Sequence, residues 1–206
     1  MTSALSGLYL VTPDWDDTEN LIASSELALK GGARILQYRH KTASDTLRKL
    51  QAQELLILCK RYQCQFVIND HIDLFLELDA DGVHVGGTDA TVAQVRSQVG
   101  PKKIVGASCY GDLQLARAAC QQGASYVAYG GFYPSRVKKY PVTTPFDIVT
   151  QSKKEIPLPT VVIGGMTIEN CQPLVNCGAD MVAAISSVYM TDNPELAARG
   201  FADLFL

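Results

Sequence analysis

Eight times along 206 residues, a short run rich in apolar and β-branched side chains gives way to a longer stretch of helical periodicity. No other feature constrains the chain as much, because strands separated by helices run parallel and share a sheet. The runs fall at 8–12, 34–39, 66–69, 82–86, 103–108, 126–131, 160–165 and 181–186. The helical stretches that follow them fall at 18–30, 44–62, 70–79, 89–99, 112–122, 146–154, 167–177 and 193–205. Gly31-Gly32, Gly100-Pro101, Gly123 and Gly178 stand where helices should stop, since glycine takes the left-handed cap conformation without a Cβ penalty. Eight such units in this length leave little room for insertions. The sequence therefore predicts an α/β fold, a (β/α)8 TIM barrel, with residues 1–206 forming a single catalytic domain. A doubly wound open sheet is the alternative; against it, Val11-Thr12-Pro13-Asp14 follows the first run where that fold places a Gly-x-Gly-x-x-Gly turn.

Composition excludes several functions. A formal charge of -3 with 19% charged residues and no basic stripe is unlike a nucleic-acid binder. The N-terminus lacks a basic segment followed by an apolar one, and no run approaches the roughly 18 apolar residues of a membrane span, so a cytoplasmic protein with no membrane partner is expected. The six cysteines form no Cys-x-x-Cys pair, which points to reduced packing residues rather than disulfides or zinc. The sequence leaves a homo-oligomer open.

In a barrel the strand C-termini share one mouth, so the polar residues that end each run are the candidates for chemistry. The second run ends in Gln37-Tyr38-Arg39-His40-Lys41, whose period-two alternation sends Gln37, Arg39 and Lys41 to one side. A solvated strand end with a chance charge cluster is the bland alternative. Asn69-Asp70 ends the third run, and Asp89 follows the fourth. Two carboxylates on adjacent loops near cations suit a magnesium ion that keeps several waters and bridges phosphate oxygens. Each could instead cap the helix after it. Ser108 ends the fifth run, and the sixth enters a loop carrying Ser135, Arg136, Val137 and Lys138, long enough to act as a lid. Gly164-Gly165 and Ile185-Ser186-Ser187 end the last two runs and offer backbone N–H groups where many barrels hold phosphate, although tight turns alone would explain the glycines. Small phosphorylated molecules are the expected substrates. The histidines are weaker candidates: His71 begins a helix, and His84 lies inside a strand where inner-barrel packing outranks catalysis.

Taken in order, Leu8 to Thr12, Gln37 to Lys41, Asn69-Asp70, Ala80 to Gly86, the loop to Lys138, Ile163-Gly164-Gly165 and Ile185-Ser186 resemble the thiamine phosphate synthase family over essentially the whole chain. The resemblance implies that hydroxymethylpyrimidine diphosphate is joined to a thiazole phosphate, plain or carboxylated, with magnesium and with release of diphosphate. It implies that Gln37, Asn69 and Ser108 position the pyrimidine, with the 37–41 stretch, including Tyr38 and His40, around it and Arg39, Lys41 and Lys138 at its charged tail. Asp70 and Asp89 would hold the metal. Ser135, Arg136, Val137, Gly165, Ile185 and Ser186 would receive the thiazole phosphate. Arg39, Lys41, Ser108 and Lys138 would be the catalytic set. The chain departs from the family pattern at Val137, where threonine is usual, at Gly87, where glutamine is frequent, and at Tyr38, where leucine is common. Two rival readings remain, a thiazole tautomerase of the same superfamily and a phosphate-sensing barrel without turnover. A tautomerase needs a base, whose histidine would fall at Tyr110, and has no use for paired Asp70 and Asp89.

Overall fold

The computed structural model describes residues 5–86, 91–134 and 143–206. Within them eight strands alternate with helices: β1 (Gly7–Val11), α1 (Thr18–Lys30), β2 (Ile35–Tyr38), α2 (Asp45–Arg61), β3 (Gln65–Asn69), α3 (Ile72–Leu78), β4 (Gly82–Val85), α4 (Val92–Val99), β5 (Ile104–Tyr110), α5 (Leu113–Gln121), β6 (Tyr126–Gly130), α6 (Asp147–Glu155), β7 (Thr160–Ile163), α7 (Ile168–Asn176) and β8 (Met181–Ala184). A short α8 (Ser186–Tyr189), then α9 (Pro194–Ala202) and a 3-10 turn (Asp203–Phe205), complete the chain. Every neighbouring pair is parallel, and β8 returns to β1, pairing Met181 with Gly7 and Ala184 with Leu10, so the sheet is a closed barrel. The (β/α)8 expectation is met, and the open-sheet alternative falls.

Strand alternation sorts the core into two layers. Leu8, Leu10, Leu36, Tyr38, Phe66, Ile68, Val127 and Val162 face outward and pack with helix residues such as Leu21, Ala28, Leu55 and Phe201. Tyr9, Val11, Ile35, Val67, Tyr126, Ala128, Val161, Met181 and Ala183 fill the interior. By the same period of two, Gln37, Asn69, His84 and Ser108 extend the inward rows toward the C-terminal rim. Both layers are buried, and the outer one carries most of the apolar burial that holds the helices on the barrel.

Some boundaries differ from the sequence expectation, each for a local reason. The third helix was expected from residue 70 but starts at Ile72, because Asp70 sits in the left-handed region (φ 62) and His71 is the N-cap without a side-chain hydrogen bond. The fourth starts at Val92, where Thr91 and Gln94 form a reciprocal capping box. Asp70 is therefore not the N-cap of the helix it precedes, and the N-cap of α4 is Thr91. Strand β5 does not end at Ser108 but continues to Tyr110 through a register shift against β6. Strand β8 stops at Ala184 and Ile185 leads into α8, a four-residue helix too short to leave a periodic signal. Helix α9 lies so close on α1 that a Cβ added at Gly31 would be 2.4 Å from the Glu195 carbonyl oxygen.

Candidate active site

The C-terminal rim gathers the polar groups, beginning with the stretch after β2. Thr12 clamps it, its hydroxyl accepting from the Arg39 amide at 2.8 Å and donating to the Arg39 carbonyl at 2.9 Å. Asp14 does more: both its oxygens accept from Arg39 Nη1 at 3.1 Å, and Oδ1 also accepts from the Lys41 amide at 2.8 Å. One carboxylate on the β1 loop thus sets the geometry of both cations. Arg39 is buried, and its Nε has no hydrogen-bond partner among the described residues. A guanidinium has five N–H donors, so Asp14 leaves Arg39 with further capacity for an anion.

Next to this stretch, Lys41 Nζ pairs with Asp70 Oδ2, which also accepts from Asn69 Nδ2 at 2.5 Å. The left-handed backbone of Asp70 is tolerated by Asp better than by most residues, yet it stores strain of order 1 kcal/mol. Its effect is to lift the carboxylate out of the helix start and into reach of Lys41. Arg39, Lys41, Asn69 and Asp70 therefore share one rim.

Deeper in the barrel, Gln37 Nε2 donates to the Tyr9 hydroxyl at 2.9 Å. The Tyr9 and Tyr126 hydroxyls are 2.6 Å apart. The Tyr126 hydroxyl lies 2.8 Å from His84 Nδ1, and His84 Nε2 lies 2.9 Å from Ser108 Oγ. Burial pushes both phenols far above the ordinary tyrosine range, and the neighbouring Tyr9 raises Tyr126 further, so both hydroxyls stay protonated at neutral pH. Gln37 on β2 and Ser108 on β5 are joined by this chain of side chains.

On the far side of the mouth, Gly165 has φ +65, and a Cβ there would be 2.3 Å from the Pro134 carbonyl oxygen, so β7 and β6 loops touch backbone to backbone. Ile185 is buried against the interior, and Ser186 opens α8, whose leading N–H groups lack intrahelical partners by construction.

Two residues named from the sequence have side chains aimed elsewhere. Tyr38 faces outward and donates to Gln51 Oε1 on α2 at 3.0 Å, because period-two alternation gives it the opposite face from Gln37. His40 lies at the rim but is turned to Asp16 Oδ1 at 3.1 Å. Asp89, Ser135, Arg136, Val137 and Lys138 lie outside the described residues. Thr12, Asp14, Tyr9 and Tyr126 were not singled out from the sequence; an Asp three residues past the end of β1 was the one signal that could have drawn attention.

Among the described residues, no group of three or more His, Cys, Asp or Glu is arranged to hold a metal ion. Asp70 offers one hard carboxylate at an open mouth, and magnesium is commonly held by one or two carboxylates plus waters and phosphate oxygens, so the donor chemistry fits. Nor, among the described residues, is any helix long and apolar enough to cross a membrane.

Residues 8–188 match the family model described as thiamine monophosphate synthase. A thiamine-phosphate synthase of Janthinobacterium sp. (strain Marseille) is 63% identical over 205 residues, covering 100% of this chain and 99% of that protein. The thiamine-phosphate synthase of Nitrosomonas eutropha is 42% identical over 98% of this chain and 95% of its own length. Among solved structures, a thiamine phosphate pyrophosphorylase from Pyrococcus furiosus superposes with a TM-score of 0.85 at 28% identity, covering 97% of this chain and 95% of that one. A 3-hexulose-6-phosphate synthase shares the fold alone, at 16% identity and a TM-score of 0.71. A closed barrel that carries an amide, two cations and a carboxylate on one rim, matched along nearly its whole length by these relatives, belongs to the thiamine monophosphate synthase family.

Proposed function

We propose that the C-terminal mouth of this barrel, with residues 1–206 acting as one catalytic domain in the cytoplasm, binds hydroxymethylpyrimidine diphosphate beside a thiazole phosphate. As a thiamine-phosphate synthase the chain is a transferase: the pyrimidinylmethyl group moves from diphosphate to the thiazole nitrogen. The observation that carries the site reading is the convergence of inward-facing Gln37, Asn69 and Ser108 beneath a rim holding Arg39, Lys41 and Asp70.

The chemistry asks little covalent work of the protein. The C–O bond at the pyrimidine methylene breaks heterolytically, its electron pair leaves with diphosphate, and the positive charge spreads over the aminopyrimidine. The thiazole nitrogen lone pair then forms the new C–N bond. Fixed cations in a partly dry mouth stabilise the departing charge at no reorganisation cost, which is the role given to Arg39, Lys41 and Lys138. Asp70 and Asp89 would hold a magnesium ion, which when bound supplies further neutralisation of diphosphate. Gln37, Asn69 and Ser108 orient the ring, and Gly165, Ile185 and Ser186, with Ser135 to Val137, hold the thiazole phosphate so that the two rings stay in contact.

Mixing both substrates with magnesium should release diphosphate and thiamine phosphate in equal amounts, and a chelator should abolish both. Turnover that persists in chelator removes the metal from this reading. Aromatisation of a carboxylated thiazole without the pyrimidine substrate would replace it with the tautomerase. Ligand protection with no product would leave a sensor.

A further inference from the structure

We propose that Tyr9, Tyr126 and His84 form a hydrogen-bond relay that couples the Gln37 amide to the Ser108 hydroxyl, so that Gln37 as acceptor and Ser108 as donor can switch only together, which favours an amino- over an oxo-pyrimidine. The inference rests on the reading that Gln37 and Ser108 hold the pyrimidine.

The direction follows from counting protons. Gln37 Nε2 can only donate, so Tyr9 accepts from it at 2.9 Å. Tyr9 is 2% exposed and its proton has one neighbour to go to, the Tyr126 oxygen at 2.6 Å. Tyr126 is fully buried and must pass its own proton to His84 Nδ1 at 2.8 Å. An imidazole that accepts at Nδ1 carries its proton at Nε2, which then donates to Ser108 Oγ at 2.9 Å. The relay ends with the Ser108 hydroxyl proton presented as a donor. At the other end, with Nε2 committed, the Gln37 amide presents its carbonyl oxygen as an acceptor.

An acceptor on β2 and a donor on β5, reaching into one mouth, complement the exocyclic amine and a ring nitrogen of a ring held between them. A 4-oxo ring needs the reverse pair. Turning the Gln37 amide over would supply it, but in this relay the turn also forces Tyr9, Tyr126, His84 and Ser108 to reverse together. Leaving any link unreversed strands a buried donor or acceptor. The barrel is built around these rings. Tyr9 and Tyr126 meet edge to face at 5.7 Å, His84 stacks on Tyr126 at 5.7 Å, and a Cβ at Gly106 would be 2.1 Å from Tyr126 Cζ. Tyr9, Tyr126 and His84 are thus positioning residues, acting through Gln37 and Ser108.

Two measurements test this on the full chain. Nitrogen NMR of the imidazoles, assignable because the chain has three histidines, should show His84 protonated at Nε2, and Tyr126→Phe should convert it to a tautomer mixture. A wild-type His84 protonated at Nδ1, or a tautomer unmoved by Tyr126→Phe, overturns the relay. Separately, the 4-oxo analogue of the pyrimidine diphosphate should inhibit wild type at least about tenfold more weakly than the amino substrate binds, and Tyr9→Phe should shrink that ratio about tenfold while the protein stays folded. An unchanged ratio overturns the selectivity. If Gln37→Ala leaves pyrimidine affinity intact, the site reading fails and the selectivity with it, while the His84 tautomer still decides the relay.

Discussion

Replacing Asp14 by alanine should damage both the fold and the mouth, because this carboxylate holds two cationic residues at once. The substitution removes the contact from both Asp14 oxygens to Arg39 Nη1 at 3.1 Å and the one from Oδ1 to the Lys41 amide at 2.8 Å. A hydrogen bond to a charged group contributes about 1.5–3 kcal/mol, and the Asp14 side chain is 34% exposed, which places the Arg39 contact near the lower end. Adding about 1 kcal/mol for the Lys41 amide gives a loss of roughly 2–3 kcal/mol. For a chain of this size that lowers Tm by about 4–12 °C. Arg39 and Lys41 would also lose their fixed orientation, and kcat/KM for diphosphate release should fall about 10–100-fold. Asp14→Asn keeps an oxygen for the Lys41 amide and should fall between wild type and Asp14→Ala on both counts. Thermal unfolding and a coupled diphosphate assay read the two effects independently. A Tm within about 1 °C of wild type together with unchanged diphosphate release would refute the reasoning.

Further outcomes follow from the same geometry. Burial holds the Tyr9, Tyr126 and Tyr189 phenols above the ordinary value of 10.0, so each is neutral when folded and ionises more easily when unfolded. The folded state then binds more protons above pH 10, so stability is full below pH 10 and should fall by about 1.4 kcal/mol per pH unit per phenol above it. Denaturant melts from pH 9 to 11 would show a flat line if this is wrong. Gly165→Ala, with φ +65 and a Cβ 2.3 Å from the Pro134 oxygen, should raise the thiazole phosphate KM about tenfold and leave that of the pyrimidine diphosphate nearly unchanged; equal changes in both would contradict the assignment. Gly106→Ala should destabilise by about 1–3 kcal/mol through its clash with Tyr126, and a Tyr126→Leu change in the same chain should recover part of that loss. Strict additivity would disprove the contact.

The barrel and the inward rows were legible because both rest on local periodicity. Gln37 and Asn69 lie two residues beyond interior Ile35 and Val67, and Ser108 lies two beyond Gly106, whose added Cβ would meet interior Tyr126; that spacing alone turns them inward. The same rule, applied to Tyr38, gives the outward face the structure shows. What could not be read is contact across the barrel: Tyr9 and Tyr126 are 117 residues apart and look like ordinary apolar strand residues until the sheet closes. Asp14 was hidden for a similar reason, since its partners Arg39 and Lys41 come from another strand's loop. The start of α4 at Val92 is set by a capping box that the Thr91–Gln94 spacing already encodes. Helix α8 left no trace because four residues hold barely one turn.

The pairing of β1 with β8 bears on how the chain reaches its native state. The ring cannot shut until Met181 to Ala184 arrive beside Gly7 to Leu10, and the tight seam of α9 on α1 at Gly31 forms with them. A chain emerging from the ribosome therefore holds the hydrogen-bonding edge of β1 exposed through most of its synthesis. Closing the ring joins the two strands that bracket the other six, so its loop-closure entropy is the largest of any neighbouring strand pair, and capping the β1 edge falls to β8.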